Sequence, residues 1–585
     1  MTGWNAPLRD TMFVLTEVLR VPEETALPGY DALDAETLEA LVDGMGTFCA
    51  DVLAPLNPVS DAQGCTRHPD GSVTTPAGFR EAYAQLCEAG WHTLTLPEQY
   101  GGQGMPHVLG TVLEEYMNSA CPAFMMYPGV LPGATSTVMS AGSDHLKDAY
   151  LPKMVSGEWL ATMALTEAHA GTDLGLMRTK AVPQGNGTYA LSGEKIFISG
   201  GEHDLTENIV HLVLARVPDA PAGSRGISLF LVPKVLPDGE RNTLGCASIE
   251  HKMGLNGSAT CVMTFDNATG WLLGEENAGL AAMFIMMNAA RLGVGVQGLA
   301  HAEHAYQRAA AYATDRLQGR AMGPRKDPAA PADSLLVHPD VRRLLMDARA
   351  FAEGFRALVL WTAMQIDRSH GAETAEERAE AVALVSFLTP VLKAYGTDRG
   401  FETTVDMQQL FGGHGYVKEW GMEQIVRDAR IGMIYEGANG VQAMDLAGRK
   451  LAKDGGKVAM RFAAMIAADL ADAPAWIKAP MEIALADTQA AAQSLLQGAA
   501  SDPDHLGAGA YAFMQMIGVL SVGWMWARMA TICAGREGDF TRAKVITARH
   551  YAESALPLTA TLRRRIAAGA GNLMAMPEEA FVRGG

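Results

Sequence analysis

A single carboxylate, Glu436, lies in the otherwise uncharged run IGMIYEGANGVQA (residues 431–443), between Arg430 and Asp445. Moving an ionised carboxylate out of water is costly unless a partner compensates, so apolar surroundings raise the pKa of such an acid. A carboxylate with a raised pKa is a stronger base near neutral pH. The pattern therefore predicts Glu436 as a candidate general base, and a carboxylate that caps a helix is the structural alternative.

The composition is that of a globular protein that can bury large cores. Hydrophobic residues make up 48% and charged residues 19% of the 585 positions. A single core stops growing near about 250 to 300 residues, so we expect more than one domain. The net charge of −19, without a basic cluster, disfavours nucleic acid as a partner.

Seven scattered cysteines, none spaced as CxxC, favour a reducing compartment and disfavour a zinc site. The N-terminal stretch RDTMFVLTEVLR has acids in its apolar part and no small-residue cleavage site, so it does not resemble a signal peptide. We therefore expect a cytoplasmic protein that binds no metal.

The apolar segment AYAFMQMIGVLSVGWMWARMA (residues 510–530) is long enough to cross a membrane. Gln515 and Arg528 interrupt it, and membrane spans usually avoid charge. Its position inside a long helical tail favours a buried or interface helix, with peripheral membrane contact as the alternative. We predict no transmembrane segment.

Three regions with different residue patterns follow one another along the chain. Apolar residues recur at the spacing of one helix face from about residue 34, and helical stretches continue to about residue 160. Short β-branched runs separated by turn residues then predict an antiparallel β-domain up to about residue 273. From about residue 279, segments rich in Ala, Met and Leu predict helices again, with a break at Gly455 and Gly456.

This segregated order predicts an α+β fold and argues against alternating βαβ units. The predicted domains are an N-terminal helical domain (1–160), a central antiparallel β-domain (161–275), a C-terminal helical bundle that carries Glu436 (276–455) and an additional helical domain (456–585).

Two motifs match functional patterns without the context that those patterns require. GVGVQG (residues 293–298) fits the dinucleotide fingerprint, but helical sequence precedes it where a strand is needed, so we interpret the glycines as helix-packing positions. His301 and His304 lack the spacing of a helical zinc motif, and we expect them on a solvated helix face.

Five segments appear in a meaningful order: MALTEAHAGTD (163–173), GEKIFISGG (193–201), MNAARLGVGVQGLAHAEHAY (287–306), QLFGGHGY (409–416) and RDARIGMIYEG (427–437). Together they resemble the acyl-CoA dehydrogenases, over roughly residues 35–450. The resemblance implies a helical domain, a β-domain and a helical bundle. It also implies bound FAD without a Rossmann domain.

The resemblance assigns cofactor contacts to particular residues. Leu165 and Thr166 are expected at the isoalloxazine, Thr172 at a FAD phosphate, and Phe197 and Ser199 against the flavin. Further expected contacts are Arg316 at the pyrophosphate across a dimer interface, and Gln409, Gly412 and Gly413 along the ADP half. Exposed glycine amides approach phosphate oxygens without a Cβ in the way. On local sequence alone, these residues also fit strand-end hydroxyls, a helix-breaking turn and a solvated arginine.

The resemblance also gives Glu436 its role. It implies that this carboxylate removes the α-proton of an acyl-CoA while a hydride leaves the β-carbon for the flavin, which yields the trans-2-enoyl product. Hydrogen bonds from the Glu436 amide and a ribityl hydroxyl would stabilise the developing enolate. Arg291, Thr172 and Gly437 are the expected substrate-binding residues, and a salt bridge on a long helix is the alternative for Arg291.

Departures from the family pattern indicate a distinct branch. Glu436 is followed by Gly437, Ala438, Asn439 and Gly440 where the family commonly has Gly, Thr, Ser and Gln, so a cofactor-contacting hydroxyl is absent. This pattern and the extra C-terminal block resemble the bacterial branch that contains 3-methylmercaptopropionyl-CoA dehydrogenases. Their thioester substrate carries a sulfur-containing acid derived from dimethylsulfoniopropionate.

The expected activity is dehydrogenation of a short acyl-CoA, with an electron-transferring flavoprotein as acceptor and a homodimer or homotetramer as the assembly. Three alternatives stay open: a dehydrogenase for medium or long straight chains, an acyl-CoA oxidase, and a non-catalytic flavin-binding protein.

Overall fold

A computed structural model describes residues 3–582 of the chain. The chain divides into two compact units. Among the described residues, the middle unit comprises residues 3–6 and 40–293, and the bundle unit comprises residues 7–39 and 294–582. The predicted order of helical, sheet and helical regions is confirmed.

Nineteen α-helices form most of the described chain. Their bounds are α1 Leu8–Phe13, α2 Ala35–Phe48, α3 Leu56–Gln63, α4 Phe79–Glu88, α5 His107–Ala120, α6 Pro122–Met125, α7 Leu131–Ala141, α8 Asp144–Val155, α9 Gly279–Asp315, α10 Pro339–Gly371, α11 Ala375–Leu410, α12 Met422–Arg430, α13 Asn439–Met444, α14 Lys457–Asp469, α15 Ala475–Ser501, α16 Pro503–Cys533, α17 Asp539–Ser554, α18 Leu558–Ala567 and α19 Gly571–Met574. Short 3₁₀ and π turns extend or connect several of them.

Within residues 3–582, nine strands form two sheets, both in the middle unit. Their bounds are β1 Thr66–Arg67, β2 Val73–Thr74, β3 Trp159–Ala164, β4 Lys180–Pro183, β5 Tyr189–Ser199, β6 Asn208–Ala215, β7 Ser228–Pro233, β8 Leu244–Ile249 and β9 Thr260–Leu273. The seven-stranded sheet has the order β3-β6-β7-β9-β5-β4, and β8 also pairs with β9. Strands β6 and β7 are buried along their whole length, as expected for continuous apolar runs.

Two details differ from the predicted antiparallel β-domain. Strand β3 pairs with β6 in parallel, with Trp159 opposite Asn208, because 43 residues between these strands leave room for a crossover. The β1–β2 hairpin lies inside the region that was predicted as helical. Strands of two residues carry too few alternating positions to give a sequence signal.

The GVGVQG stretch lies within helix α9, so the interpretation as helix-packing glycines is confirmed. A Cβ on Gly295 would lie 2.9 Å from the Leu392 carbonyl oxygen of α11, and a Cβ on Gly298 would collide with the Gly396 carbonyl. The glycines therefore allow the α9 and α11 backbones to approach closely.

The expected solvated face for His301 and His304 is wrong. Both side chains are buried within the bundle unit, and burial lowers the pKa of His301 to about 4. Alanines at positions 300, 302, 305 and 309 of the same helix are also buried, so neighbouring elements cover most of its circumference. A neutral imidazole tolerates such burial better than a charged one.

Helix α16 contains the apolar segment 510–530, and most of that segment is buried inside the bundle unit. Trp524, Trp526 and Met514 are at most 1% exposed, which confirms the prediction of a buried helix. By length and composition alone, three helices of the described residues could cross a membrane: α9, α11 and α16.

Residues 7–39 pack in the bundle unit, so the stretch predicted as the N-terminal helical domain (1–160) is shared between the two units. A buried charge cluster, which comprises Asp10, Glu303, Glu353, Arg356 and Lys544, accounts for this packing. Arg356 pairs with Asp10 and Glu303, and Lys544 pairs with Asp10 and Glu353. Burial works to raise the pKa of Asp10, but the two cations outweigh it and the pKa is lowered.

Candidate active site

In the middle unit, the end of β3 and a bulge in β5 bring the predicted flavin contacts Leu165, Thr166 and Phe197 near one another. Leu165 and Thr166 directly follow β3, and the Ile196 amide donates to the Thr166 carbonyl across 2.9 Å. The β5–β9 register shifts between Lys195 and Ile198, and Phe197 has a φ of 60°. This bulge leaves Phe197 59% exposed although it lies inside a strand.

A buried ion pair between Lys195 and Glu167 holds the backbone at Leu165 in place. Lys195 Nζ lies 2.9 Å from Glu167 Oε1 and donates to the Leu165 carbonyl at 3.0 Å. Glu167 also accepts hydrogen bonds from the Arg178 amide and from Thr179. Leu165 and Thr166 are therefore fixed between a strand and a fully bonded carboxylate.

The ion pair changes the pKa of both partners. Burial works to raise the pKa of Glu167, but attraction to Lys195 and the hydrogen bonds outweigh it and lower this pKa to about 2. Burial lowers the pKa of Lys195 to about 8 against the attraction of Glu167. Both groups are thus charged at neutral pH.

Ser199 and Thr172 are close to these residues in the sequence, but the two side chains have different surroundings. Ser199 is the last residue of β5 and is half-buried. Thr172 is exposed in the turn after Ala170, just before Asp173, whose carboxylate accepts from the Gly175 amide at 2.9 Å.

Arg291, the predicted substrate residue, lies on α9 within the middle unit and is half-buried. One of its nitrogens lies 3.4 Å from Asn288 Oδ1, and its guanidinium lies 5.9 Å from the centre of the Phe284 ring.

In the bundle unit, the predicted ADP-binding glycines lie in an exposed turn after α11. Gln409 is exposed near the end of that helix, and Gly412, with a φ of 60°, and Gly413 follow in a 3₁₀ turn. A Cβ at either glycine would meet no atom within 4 Å, so both residues border open space. Arg316 is exposed immediately after α9.

Stacked aromatic rings hold the glycine turn in place. Tyr312 stacks on Phe411 with ring centres 4.1 Å apart, and His414 stacks on Trp420 at the same distance. The Tyr312 hydroxyl and His414 Nδ1 are 2.9 Å apart, which joins the two stacks. Phe411 and His414 therefore anchor both ends of the Gly412–Gly413 segment.

The predicted base, Glu436, lies in a turn between α12 and α13 and is half-buried. Its φ is 53° and that of Gly437 is 87°, so two successive residues adopt the left-handed conformation. For a non-glycine residue this conformation is strained and is often found at functional sites. The geometry therefore distinguishes Glu436 from an ordinary helix cap.

Buried side chains fix this turn from the inner side. Lys393 of α11 donates to the Gly437 carbonyl and to Asn439 Oδ1, each at 2.8 Å. Asn439 in turn donates to Asp398 Oδ1 at 2.7 Å, and Gln442 donates to the Glu436 carbonyl at 3.1 Å. A conformation that would otherwise be strained is thus held by several hydrogen bonds.

Sequence reasoning missed the groups that support the site. Lys393 and Asp398 lie more than forty positions before their contacts at Gly437 and Asn439, and no local pattern connects them. Asn439 was noted only as a departure from the family, yet the structure gives it a fully buried, multiply bonded position. A lysine directly before the apolar run IFI (residues 196–198) was the available signal for a buried ion pair at Lys195.

Four family models match successive parts of the chain. They are the acyl-CoA dehydrogenase N-terminal domain at residues 35–158, its middle domain at 162–268 and its C-terminal domain at 277–451. The acetyl-CoA dehydrogenase C-terminal-like model matches residues 462–577.

Two curated relatives align over nearly the full length. The 3-methylmercaptopropionyl-CoA dehydrogenase of Ruegeria pomeroyi is 45% identical, with 94% of this chain and 96% of the relative covered. The broad-specificity linear acyl-CoA dehydrogenase FadE5 of Mycobacterium tuberculosis is 34% identical, with 99% and 100% covered. The chain therefore belongs to the acyl-CoA dehydrogenase family and is an FAD-dependent oxidoreductase.

Two solved structures show the same fold. An acyl-CoA dehydrogenase of Bacillus anthracis, complexed with FAD, has a TM-score of 0.75 at 21% identity and covers 92% of this chain and 89% of its own. A structure described as the electron transferring flavoprotein of Acidaminococcus fermentans has a TM-score of 0.58 at 26% identity. It covers 70% of this chain and 96% of its own.

The residues present fit FAD. The exposed Phe197 ring, beside the fixed Leu165 and Thr166 backbone, offers an apolar face to a flat heterocycle. The exposed turn at Gly412 and Gly413 and the exposed side chain of Arg316 suit the phosphate-bearing part of the cofactor. Asn439 provides no hydroxyl, and both ends of its amide are already bonded inside the protein.

Proposed function

We propose that this chain converts a short acyl-CoA, with 3-methylmercaptopropionyl-CoA as the first candidate, to its trans-2-enoyl product. The observation that carries the proposal is the left-handed Glu436–Gly437 turn, held by Lys393 and Gln442, in a chain 45% identical to a dehydrogenase of that thioester. Glu436 is the general base in this proposal.

Dehydrogenation removes a proton from the α-carbon and a hydride from the β-carbon of the thioester. Glu436 takes the α-proton and becomes a neutral carboxylic acid, while the bond between the two carbons gains the electron pair. Bound FAD supplies the acceptor for the hydride. The Glu436 amide donates to the thioester carbonyl oxygen, which stabilises negative charge as it develops there.

The cofactor-binding roles of Leu165, Thr166, Thr172, Phe197, Ser199, Arg316, Gln409, Gly412 and Gly413 belong to this proposal, as do substrate-binding roles for Arg291, Thr172 and Gly437. Support for them comes from the exposed Phe197 ring and from the open glycine turn. The preorganised Glu436 turn supports the role of its neighbour Gly437.

We further propose an electron-transferring flavoprotein as acceptor, a homodimer or homotetramer as assembly and the cytoplasm as location. The family of the chain and the similarity to a structure described as an electron transferring flavoprotein support the acceptor. Tyr416, 87% exposed beside the glycine turn, supports burial of that turn by a second copy. The seven cysteines, all within the described residues, form no disulfide, which supports a reducing compartment.

An anaerobic titration of the flavin absorbance with a panel of acyl-CoAs tests the substrate. The panel contains the 3-methylmercaptopropionyl thioester and straight chains of increasing length. We expect complete bleaching with the methylthio compound at the lowest concentration. Preferential bleaching by longer straight chains would contradict the methylthio compound as the substrate. It would favour a linear acyl-CoA, the class named for the mycobacterial relative.

The electron acceptor needs a separate measurement. We expect little hydrogen peroxide during aerobic turnover and rapid turnover with an added electron-transferring flavoprotein. Stoichiometric peroxide would identify an acyl-CoA oxidase. A flavin that no thioester bleaches would identify a non-catalytic flavin-binding protein.

A further inference from the structure

Helix α16 contacts the support of the Glu436 turn through two polar side chains. The Tyr511 hydroxyl and Gln515 Nε2 both donate to Asp398 Oδ2, the latter at 2.6 Å. The other oxygen of the same carboxylate accepts from Asn439 Nδ2 at 2.7 Å. Asp398 therefore joins α16 to the first residue of α13.

The connection continues from Asn439 to the turn itself. Asn439 Oδ1 accepts from Lys393, and the same ammonium donates to the Gly437 carbonyl, one residue beyond Glu436. Asn439 and Lys393 are at most 4% exposed, so water competes little for these hydrogen bonds. The path from α16 to the turn thus contains Asp398, Asn439 and Lys393, with every step at hydrogen-bond distance.

Asp398 depends on its donors. Burial raises the pKa of this carboxyl, and the hydrogen bonds from Tyr511, Asn439 and Gln515 and the charge of Lys393 oppose that rise. Loss of the two α16 donors leaves a buried carboxylate with fewer partners, which favours a changed position or protonation of the group. Either change weakens its hold on Asn439.

Close packing alone does not explain this contact. Asp398, Tyr511 and Gln515 all line a cavity of about 550 Å³, and Tyr511 is 39% exposed. The polar groups therefore meet beside open space, where their removal changes little packing.

We propose that α16, a helix of the C-terminal extension, positions the catalytic base: Tyr511 and Gln515 orient Asp398, which through Asn439 and Lys393 holds the Glu436–Gly437 turn. This inference rests on the proposed role of Glu436. Tyr511, Gln515, Asp398, Asn439 and Lys393 are positioning residues, since none of them is assigned a contact with substrate.

The test is the double variant Tyr511→Phe/Gln515→Met in the full-length holoenzyme. It removes both hydrogen-bond donors and substitutes no residue of the turn. Anaerobic stopped-flow measurement of flavin reduction gives a limiting rate constant and a half-saturating thioester concentration. We expect the rate constant to fall about 10-fold, because small displacements of a base cost large factors, with less than about a twofold change in half-saturation. Ser521→Ala is the control, because its hydroxyl donates only to Ile517 of the same helix in the hydrogen bonds described.

Hydrogen–deuterium exchange provides a readout independent of turnover. The amides of residues 434–440 should exchange faster in the double variant and at the wild-type rate in Ser521→Ala. Conservative rescue adds a second check: Asp398→Asn keeps an acceptor for Asn439 and should retain more of the reduction rate than Asp398→Ala.

Unchanged reduction and exchange in the double variant would overturn the inference, while loss of reduction in Glu436→Gln would leave the proposed function intact. Wild-type reduction in Glu436→Gln would overturn both, since there would then be no base at this turn to position. A fall in the rate constant of Ser521→Ala equal to that of the double variant would assign the effect to helix stability and overturn the inference.

Discussion

Glu167 and Lys195 form a buried ion pair, 2.9 Å between Oε1 and Nζ, beneath the backbone that is proposed to hold the flavin. The pair joins the segment after β3 to the bulged strand β5, and the Thr179 hydroxyl donates a further hydrogen bond to the Glu167 carboxylate. The position of this backbone therefore depends on an ion pair that is not itself assigned to catalysis.

This pair predicts a loss of stability in acid. The pKa of Glu167 is lowered from 4.5 to about 2, so its stabilising contribution is complete well above pH 4.5 and disappears as the pH falls toward 2. Between pH 5 and pH 3 the free energy of unfolding should fall by about 2 kcal/mol through this group alone. Denaturant unfolding followed by circular dichroism at several pH values measures it.

Glu167→Gln should flatten that pH dependence, whereas substitution of an exposed acid next to Lys195 on β5, Glu194→Gln, should leave it unchanged. An identical slope in Glu167→Gln and the wild type would show that the pair does not contribute in this way.

Glu436→Gln should bind FAD and thioester but reduce its flavin about 10² to 10⁴ times more slowly, because an amide cannot accept the α-proton. Anaerobic absorbance of the flavin after substrate addition measures this loss. Glu419→Gln, an exposed acid in the same unit, is the control and should react normally. Undiminished bleaching in Glu436→Gln would exclude Glu436 as the base.

Gly437→Ala should impair the same step for a backbone reason. At a φ of 87° an added Cβ is strained by about 1 kcal/mol or more, and it would also collide with Gln442 Nε2, which holds the turn. We expect slower flavin reduction and a lower melting temperature. Gly440→Ala is the matched control: its Cβ would meet no atom within 4 Å, and it lies in helix α13, where alanine is favoured.

Phe197→Ala should weaken FAD binding while the fold is retained, since the ring is 59% exposed and buries little surface within the chain. Aromatic stacking worth about 0.5 to 1.5 kcal/mol corresponds to a loss of affinity of about 2- to 12-fold. Titration of deflavinated protein with FAD, followed by flavin fluorescence, gives the two affinities. Val182→Ala, another exposed apolar residue on the same sheet, should bind FAD normally.

Arg356→Met should destabilise the bundle unit by about 3 to 5 kcal/mol, because it removes the cation that pairs with buried Glu303 and leaves buried Asp10 with Lys544 alone. Arg343→Met removes the ion pairs of an exposed arginine with exposed Asp340 and half-buried Asp347, and should cost less than about 1 kcal/mol. Thermal unfolding of both variants compares the two losses, and equal losses would contradict the assigned importance of burial.

The succession of helical and β-rich regions was predictable because each element carries its own periodicity. The same locality explains the correct placement of GVGVQG in a helix. The buried state of His301 and His304 was not predictable, since it depends on which neighbours cover the helix. Nor was the Lys393–Asn439–Asp398 support, because its members meet only after α11 and α13 have packed.

The contacts of Asp10 constrain the order in which this protein can fold. Asp10 is synthesised 346 residues before Arg356 and 534 residues before Lys544. At roughly 5 to 20 residues per second, about half a minute to two minutes separates the acid from its last partner. Until then residues 7–39 lack their final surroundings on the ribosome, so nascent chains stalled before α17 should expose this segment to protease.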